Sequence, residues 1–218
     1  ALPISDIDLT DKGRAGAVKA GEIMKGAGVN FDEVHTSKLN RAIETAQLAQ
    51  KGMSAQWVPL QKFWRLNERC YGDLEGKKRE DVAKEVGDDQ VKIWRRSFDV
   101  PPPSLAVTDA RSPVKDPRYA DLDPRVIPAS ESLKDVIARV GPYWTDQLRP
   151  AIKSGKTVLV VGHSTNLRAL SAWIEPNLDE KALQKLEIKN TKPILYEFDK
   201  NMNVICRKVL EPSTVKKE

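Results

Sequence analysis

The chain has 218 residues, 40% of them hydrophobic and 31% charged, with a formal net charge of +5. That balance suits a globular protein with a sizeable core, and no apolar run approaches the ~20 residues needed to cross a bilayer, so it is not expected to be transmembrane. Two cysteines, Cys70 and Cys206, and two histidines offer neither a disulfide framework nor metal-ligand spacing.

The basic surface favours anions such as phosphorylated metabolites, anionic lipid or nucleic acid. Its lysines and arginines are scattered rather than striped, so a solvated basic face is preferred over nucleic-acid binding. The numbered chain starts at Ala1 without a signal-peptide pattern, and is read as beginning after processing, after trimming or within a longer product.

Along the chain, Ala17, Val18, Ala20, Ile23 and Met24 stripe a helix over Asp11 to Gly28. A strand-like step follows at Glu33 to Thr36, then a helix at Lys38 to Lys51 with Ser37 as its N-cap. Trp57 to Leu60 reads as a short strand, and Asp81 to Phe98 as a helix broken near Gly87. Residues 99–130 hold half of the 14 prolines and read as one long ordered insertion in a single domain. Glu131 to Leu148 is patterned as one amphipathic helix. Thr157 to Val161 lacks alternation and reads as a parallel strand buried on both faces. A helix at Asn166 to Glu175 and two strands, Pro193 to Phe198 and Val204 to Leu210, complete an α/β fold with a mainly parallel sheet. The tail, 213–218, is expected to be loose.

Ligands of open α/β sheets bind at the carboxyl ends of the strands. Two strand-to-helix turns stand out there: Thr36-Ser37 followed by Arg41, and His163-Ser164-Thr165 followed by Arg168. Each places hydroxyls at a helix N-terminus, where unpaired N–H groups attract an anion, with an arginine one turn on. For Arg168 packing or a surface ion pair is preferred; for Arg41 the ligand and packing readings stand level. Further charge clusters in Asn67-Glu68-Arg69 and Arg95-Arg96, where a pair of arginines suits a polyanion. His163 directly follows a buried strand and is a candidate site residue, whereas His35 reads as structural. Gly162 to Asn166 nearly matches a nucleophile elbow, but Asn166 replaces its last glycine and no histidine follows Ser164.

The stretches Trp64 to Gly72, Trp94 to Pro103, His35 to Ala42, Pro128 to Leu133 and Pro193 to Asp199 resemble the 2,3-bisphosphoglycerate-dependent phosphoglycerate mutases of the histidine phosphatase superfamily. The resemblance covers nearly the whole chain. It implies the three-layer mutase-like fold and phosphoryl transfer through a histidine in an Arg-His-Gly motif on a central first strand. It also implies that His163 is the second histidine and Glu68 the acid/base. Arg41, Arg95, Arg96 and Tyr71 become phosphate or substrate contacts.

Five departures shape the expectation. No Arg-His-Gly strand occurs before Ala1, and Leu2-Pro3-Ile4 stands where Thr-Gly-Trp should follow. Cys70 replaces a histidine, His163-Ser164-Thr165-Asn166 replaces a His-Gly-Asn-Ser turn, and Lys189 to Lys192 replaces a Pro-Thr-Gly segment. With the first strand missing or replaced, the site residues are read as vestigial. The chain is expected to be a pseudoenzyme, an accessory subunit among other protein subunits in a mitochondrion or other organelle lumen, with no cofactor. Two alternatives stand beside it. One is an active, cytoplasmic mutase using 2,3-bisphosphoglycerate, with an N-terminal segment outside this sequence. The other is a non-catalytic binder of a phosphorylated small molecule. Something is also expected to fill the place of the central strand.

Overall fold

A computed structural model describes residues 6–212; the expectations for Leu2 to Ile4 and for the tail lie outside them. Helix α1 (Asp11–Gly26) starts where the Thr10 hydroxyl accepts from the Gly13 N–H at 3.1 Å. Strand β1 (Glu33–Thr36) leads to α2 (Asn40–Met53), and β2 spans Leu60–Lys62. Helices α3 (Arg79–Val86) and α4 (Asp88–Arg96) meet at Gly87, whose φ of 87° favours glycine. Helix α5 (Leu133–Tyr143) is followed by α6 (Arg149–Lys153), β3 (Val158–Val161), α7 (Ser164–Ile174) and α8 (Glu180–Lys185). Strands β4 (Ile194–Phe198) and β5 (Val204–Val209) end the fold.

Strands β2, β1 and β3 form a parallel sheet in that order, with Thr36 opposite both Lys62 and Val161. Alternation along β3 divides the core. Leu159 and Val161 pack with α1 and α2 around Val34, Ala46 and Ala49. Val158 and Val160 pack on the other face with α5 and α7 around Val136, Val140 and Ala169. The result is a helix–sheet–helix sandwich.

The second sheet is the antiparallel pair β4–β5. Among the described residues β3 pairs only with β1, and β4 only with β5. The two facing edges border a cleft of about 500 Å³ lined by Val158, Leu159, Val160, Ile194, Tyr196 and Phe198. All four residues of β3 are therefore only partly buried, although helices cover both faces, and among the described residues no strand fills the place between β3 and β4.

Four local expectations are corrected. Strand β2 starts at Leu60 instead of Trp57, because Pro59 has no N–H to give the ladder, and Trp57 is left 81% exposed. Ser37 is not the cap of α2; that helix begins three residues later. The helix expected over Glu131 to Leu148 ends at Tyr143 and passes through a π-type turn, Trp144–Leu148. Pro142 and Pro150 each remove a helix donor there, and the Thr145 hydroxyl draws on the Gly141 carbonyl at 3.2 Å. Glu131 itself stays outside the helix, because Ser132 caps α5 in a reciprocal box with Asp135. Substituting Ser132 by Ala should cost about 1 kcal/mol of stability, read by urea denaturation.

Residues 99–130 contain three single 3₁₀ turns, at Pro113–Lys115, Pro117–Tyr119 and Pro124–Val126, each opened by its proline. Two arginines tie this segment to the body. Arg111 donates to the Glu75 carbonyl at 2.8 Å and pairs with Asp73 at 2.8 Å. Arg118 pairs with Asp6 at 2.5 Å, and Lys38 donates to the Arg118 carbonyl at 2.6 Å. Gly72 lies beneath the segment at φ 58°, where a Cβ would stand 2.2 Å from the Pro103 carbonyl oxygen.

Candidate functional site

The register of the sheet brings the carboxyl ends of β1 and β3 side by side, joined by the Thr36 hydroxyl donating to the Val161 carbonyl at 2.9 Å. Just beyond them Ser37 Oγ and His163 Nε2 share a buried hydrogen bond of 2.9 Å. Ser37 Oγ also accepts from the Leu39 N–H at 3.2 Å. His163 occupies the N-cap position of α7. Burial, with the positive charges of Arg41 and Arg139, pushes its imidazole down to about 3, so the ring is neutral at physiological pH.

Glu68 lies across the start of the same helix. Its carboxylate accepts from the Arg69 N–H at 2.8 Å and feels the Thr165 N–H in the first turn of α7. Burial raises its affinity for a proton, opposed by these two amides and by Arg41 and Arg139. Arg41, in the first turn of α2, feels desolvation offset by Glu68, Asp6 and Glu75. An open cavity of about 690 Å³ adjoins this group, walled by Arg41, Asn67, Glu68, Arg69, Arg111 and Arg118. A charged, amide-rich hollow of this kind can hold an anion and pass a proton to it.

The candidates taken from sequence divide in two. Glu68 and Arg41 line the cavity together, and His163, buried behind it and not lining it, feels the charge of Arg41. Arg95 and Arg96 end α4, half buried and exposed respectively, and neither lines the cavity. Tyr71 is buried with Leu74, Val82 and Val91, with the Arg69 guanidinium 4.5 Å above its ring. Arg168 donates to the Leu186 carbonyl at 3.0 Å, yet Arg96 and Glu68 both act on its charge. Cys70 does line the cavity, and burial pushes its thiol up. The Lys189 to Lys192 segment does not line it; Thr191 abuts Gly16 of α1.

Sequence reasoning missed Glu131 and Arg139, a buried pair at 2.6 Å under the Glu68 loop. One signal was readable: Arg139 falls three residues after Val136 and four before Tyr143, on the apolar face of α5.

The neutral His163 makes stability depend on pH. Its folded-state affinity for protons lies below the unfolded value near 6.5, so the stability is present above that pH and is lost as pH falls toward 3. Glu68, raised on folding, acts in the opposite sense above its own unfolded value. Between pH 6 and 4, His163→Gln is expected to flatten the stability profile by up to about 1.4 kcal/mol per pH unit relative to wild type, measured by urea titration at each pH.

The parallel sheet between two helical layers, with phosphate-suited groups at its carboxyl ends, defines a phosphate-handling α/β protein. The sequence matches the model of the histidine phosphatase superfamily (branch 1) over residues 3–115 and 106–209. The 2,3-bisphosphoglycerate-dependent phosphoglycerate mutase of Streptococcus thermophilus is 46% identical over 201 residues, covering 92% of this chain and 87% of the relative. The mutase of Streptococcus sanguinis is 45% identical over the same span. Among solved structures, the α-ribazole phosphatase of Shigella flexneri superposes with a TM-score of 0.68 at 19% identity, covering 97% of this chain and 89% of that one. A mycobacterial glucosyl-3-phosphoglycerate phosphatase gives 0.66 at 20% identity, covering 94% and 86%. These two share the fold. The chain belongs to the histidine phosphatase superfamily and, within it, to the 2,3-bisphosphoglycerate-dependent phosphoglycerate mutases.

This overturns the expectation of a pseudoenzyme serving as an accessory subunit. That reading gave five local departures more weight than the rest of the chain, whereas identity of 45–46% runs across 92% of it with proteins named as mutases. The organelle lumen gains no support from these bacterial relatives. No helix among the described residues is long and apolar enough to cross a membrane.

Proposed function

We propose that the protein is an active phosphoglycerate mutase that exchanges phosphoryl groups between 2,3-bisphosphoglycerate and the two monophosphoglycerates. The observation that carries this is the convergence of Glu68, Arg41 and neutral His163 at the carboxyl ends of β1 and β3. Glu68 is the proton donor and acceptor, its carboxyl biased by burial toward the protonated form while two amides and two arginines keep ionisation accessible. Arg41 supplies positive charge to the equatorial oxygens of the moving phosphoryl group. His163, neutral and held by Ser37, offers a ring nitrogen to the same oxygens without a charge that would trap them.

The reaction also needs an imidazole that accepts the phosphoryl group. His35 is turned into the core, with Nδ1 on the Tyr143 hydroxyl and Nε2 on Glu33, each at 3.0 Å. In this reading the acceptor therefore comes from a part of the polypeptide outside the 218 residues. Its seat is the cleft between β3 and β4, where a strand would meet unpaired backbone on both sides and emerge beside His163. The reading makes 2,3-bisphosphoglycerate the priming phosphoryl donor and places the protein in the cytoplasm. The test is interconversion of 3- and 2-phosphoglycerate by the intact native polypeptide in the presence of 2,3-bisphosphoglycerate. Turnover is expected; its absence in folded protein overturns the reading.

A further inference from the structure

The segment Trp64 to Cys70, which carries Glu68, contains only one 3₁₀ turn, Trp64–Leu66, and no other regular structure. Something other than a helix or strand ladder must hold it. Beneath it sits Arg139, 8% exposed, on the buried face of α5. Its Nε donates to one Glu131 oxygen at 2.6 Å and Nη2 to the other at 3.0 Å. The remaining N–H groups point up into the loop: Nη1 to the Arg65 carbonyl at 2.7 Å and Nη2 to the Asn67 carbonyl at 3.1 Å, one residue before Glu68. Glu131 closes the other side. Its carboxylate accepts from the Cys70 N–H at 2.9 Å, and its own N–H donates to the Cys70 carbonyl at 2.9 Å. Carbonyls before Glu68 and the peptide after it are thus fixed to one rigid, planar pair.

The chemistry argues that this pair serves geometry rather than net stability. A buried ion pair is often replaceable by apolar side chains of similar volume without loss of stability. What apolar side chains cannot do is present donors in a flat fork to carbonyls on a non-repetitive loop, and a lysine ammonium cannot do it either. We infer that Arg139, locked by Glu131, is the positioning residue that sets the Glu68 carboxyl against the Arg69 and Thr165 amides at the start of α7. The inference relies on the mutase reading for the role of Glu68 in turnover, but not for its placement.

Three variants test it: Arg139→Lys, Arg139→Gln, and the apolar double change Glu131→Leu with Arg139→Met. Two readouts are followed in the intact native polypeptide. The first is independent of catalysis: the NMR shifts of the Arg69 and Thr165 amides as Glu68 titrates, with Glu68→Gln as the blank. In wild type both amides follow the carboxyl. In the variants, including any that melts within a few degrees of wild type, that response is expected to fall at least threefold. The second is turnover. Its rate should drop 10- to 100-fold, with KM changing less than threefold. The acidic limb of the rate profile should move to higher pH in Arg139→Gln, where the charge beside Glu68 is lost, and stay in Arg139→Lys, where it is kept. Arg41 and Arg168, the other cations acting on Glu68, remain in every variant. An Arg139→Gln or double variant that folds and keeps the amide response overturns the inference. If wild type shows the amide response without turnover, the mutase reading fails and the positioning role stands.

Discussion

Glu68→Gln is expected to lower turnover about 10³-fold with little change in KM, as befits loss of a general acid–base. The substitution keeps the shape of the side chain and one hydrogen-bond acceptor for the Arg69 and Thr165 amides. It removes the ability to carry a proton. Burial raises the proton affinity of this carboxyl, and Arg41 and Arg139 oppose it. His163→Ala should cost a comparable factor by a different route, because in the proposed mechanism the neutral ring contacts the moving group in the transition state. Steady-state kinetics on both variants separates the two: the acidic limb of the rate profile should vanish in Glu68→Gln and persist in His163→Ala. A Glu68→Gln variant within tenfold of wild type would remove Glu68 from the chemistry.

The largest effect on stability is expected where α1 crosses α2. Gly21 and Gly52 face each other there, and the backbones touch. A Cβ on Gly21 would lie 2.1 Å from the Ala49 carbonyl oxygen, and one on Gly52 would lie 2.2 Å from that of Val18. Both obstacles are backbone, which cannot rotate aside, so the helices must separate. That parting opens the cluster of Ile23, Met24, Ala46 and Ala49 over β1. Gly21→Val is expected to cost about 3 kcal/mol or more, as overpacking in a closed core does. For a domain of this size the melting temperature should fall by about 10 °C. Calorimetry reads it; a variant that melts within 2 °C of wild type would mean the helices are not in backbone contact.

Much of the fold was legible because its signals are local. Strand β1 and the β4–β5 pair stand where β-branched and apolar runs meet turn residues, and α1 carries its stripe and its Thr10 cap in the sequence. The errors share a cause. Trp57 to Leu60 looked like a strand because propensity ignores the donor missing at Pro59. Glu131 to Leu148 looked like one helix because its apolar period runs on past two prolines. At the candidate site, His163 and Arg41 stood out from their strand-to-helix turns, and Glu68 from motif resemblance. Arg139 was hidden because a helix stripe is read for apolar residues, and its contacts are with a carboxylate eight positions away and with carbonyls of a distant loop. The misreading of function arose chiefly from the missing Arg-His-Gly strand, with local motif departures added to it. Cys70 and the Lys189 to Lys192 segment differ from the expected pattern, yet Glu68, Arg41 and His163 keep one another's company.

The proposed function requires this pocket to move a phosphoryl group between a phosphoglycerate and an imidazole on the same polypeptide. Intact-mass spectrometry of the native polypeptide after exposure to 2,3-bisphosphoglycerate tests it directly. The expected result is a mass gain of one phosphoryl group that is lost on acid treatment or on addition of a monophosphoglycerate, and that forms far more slowly in His163→Ala. Folded wild-type protein that takes up no phosphoryl group would contradict it.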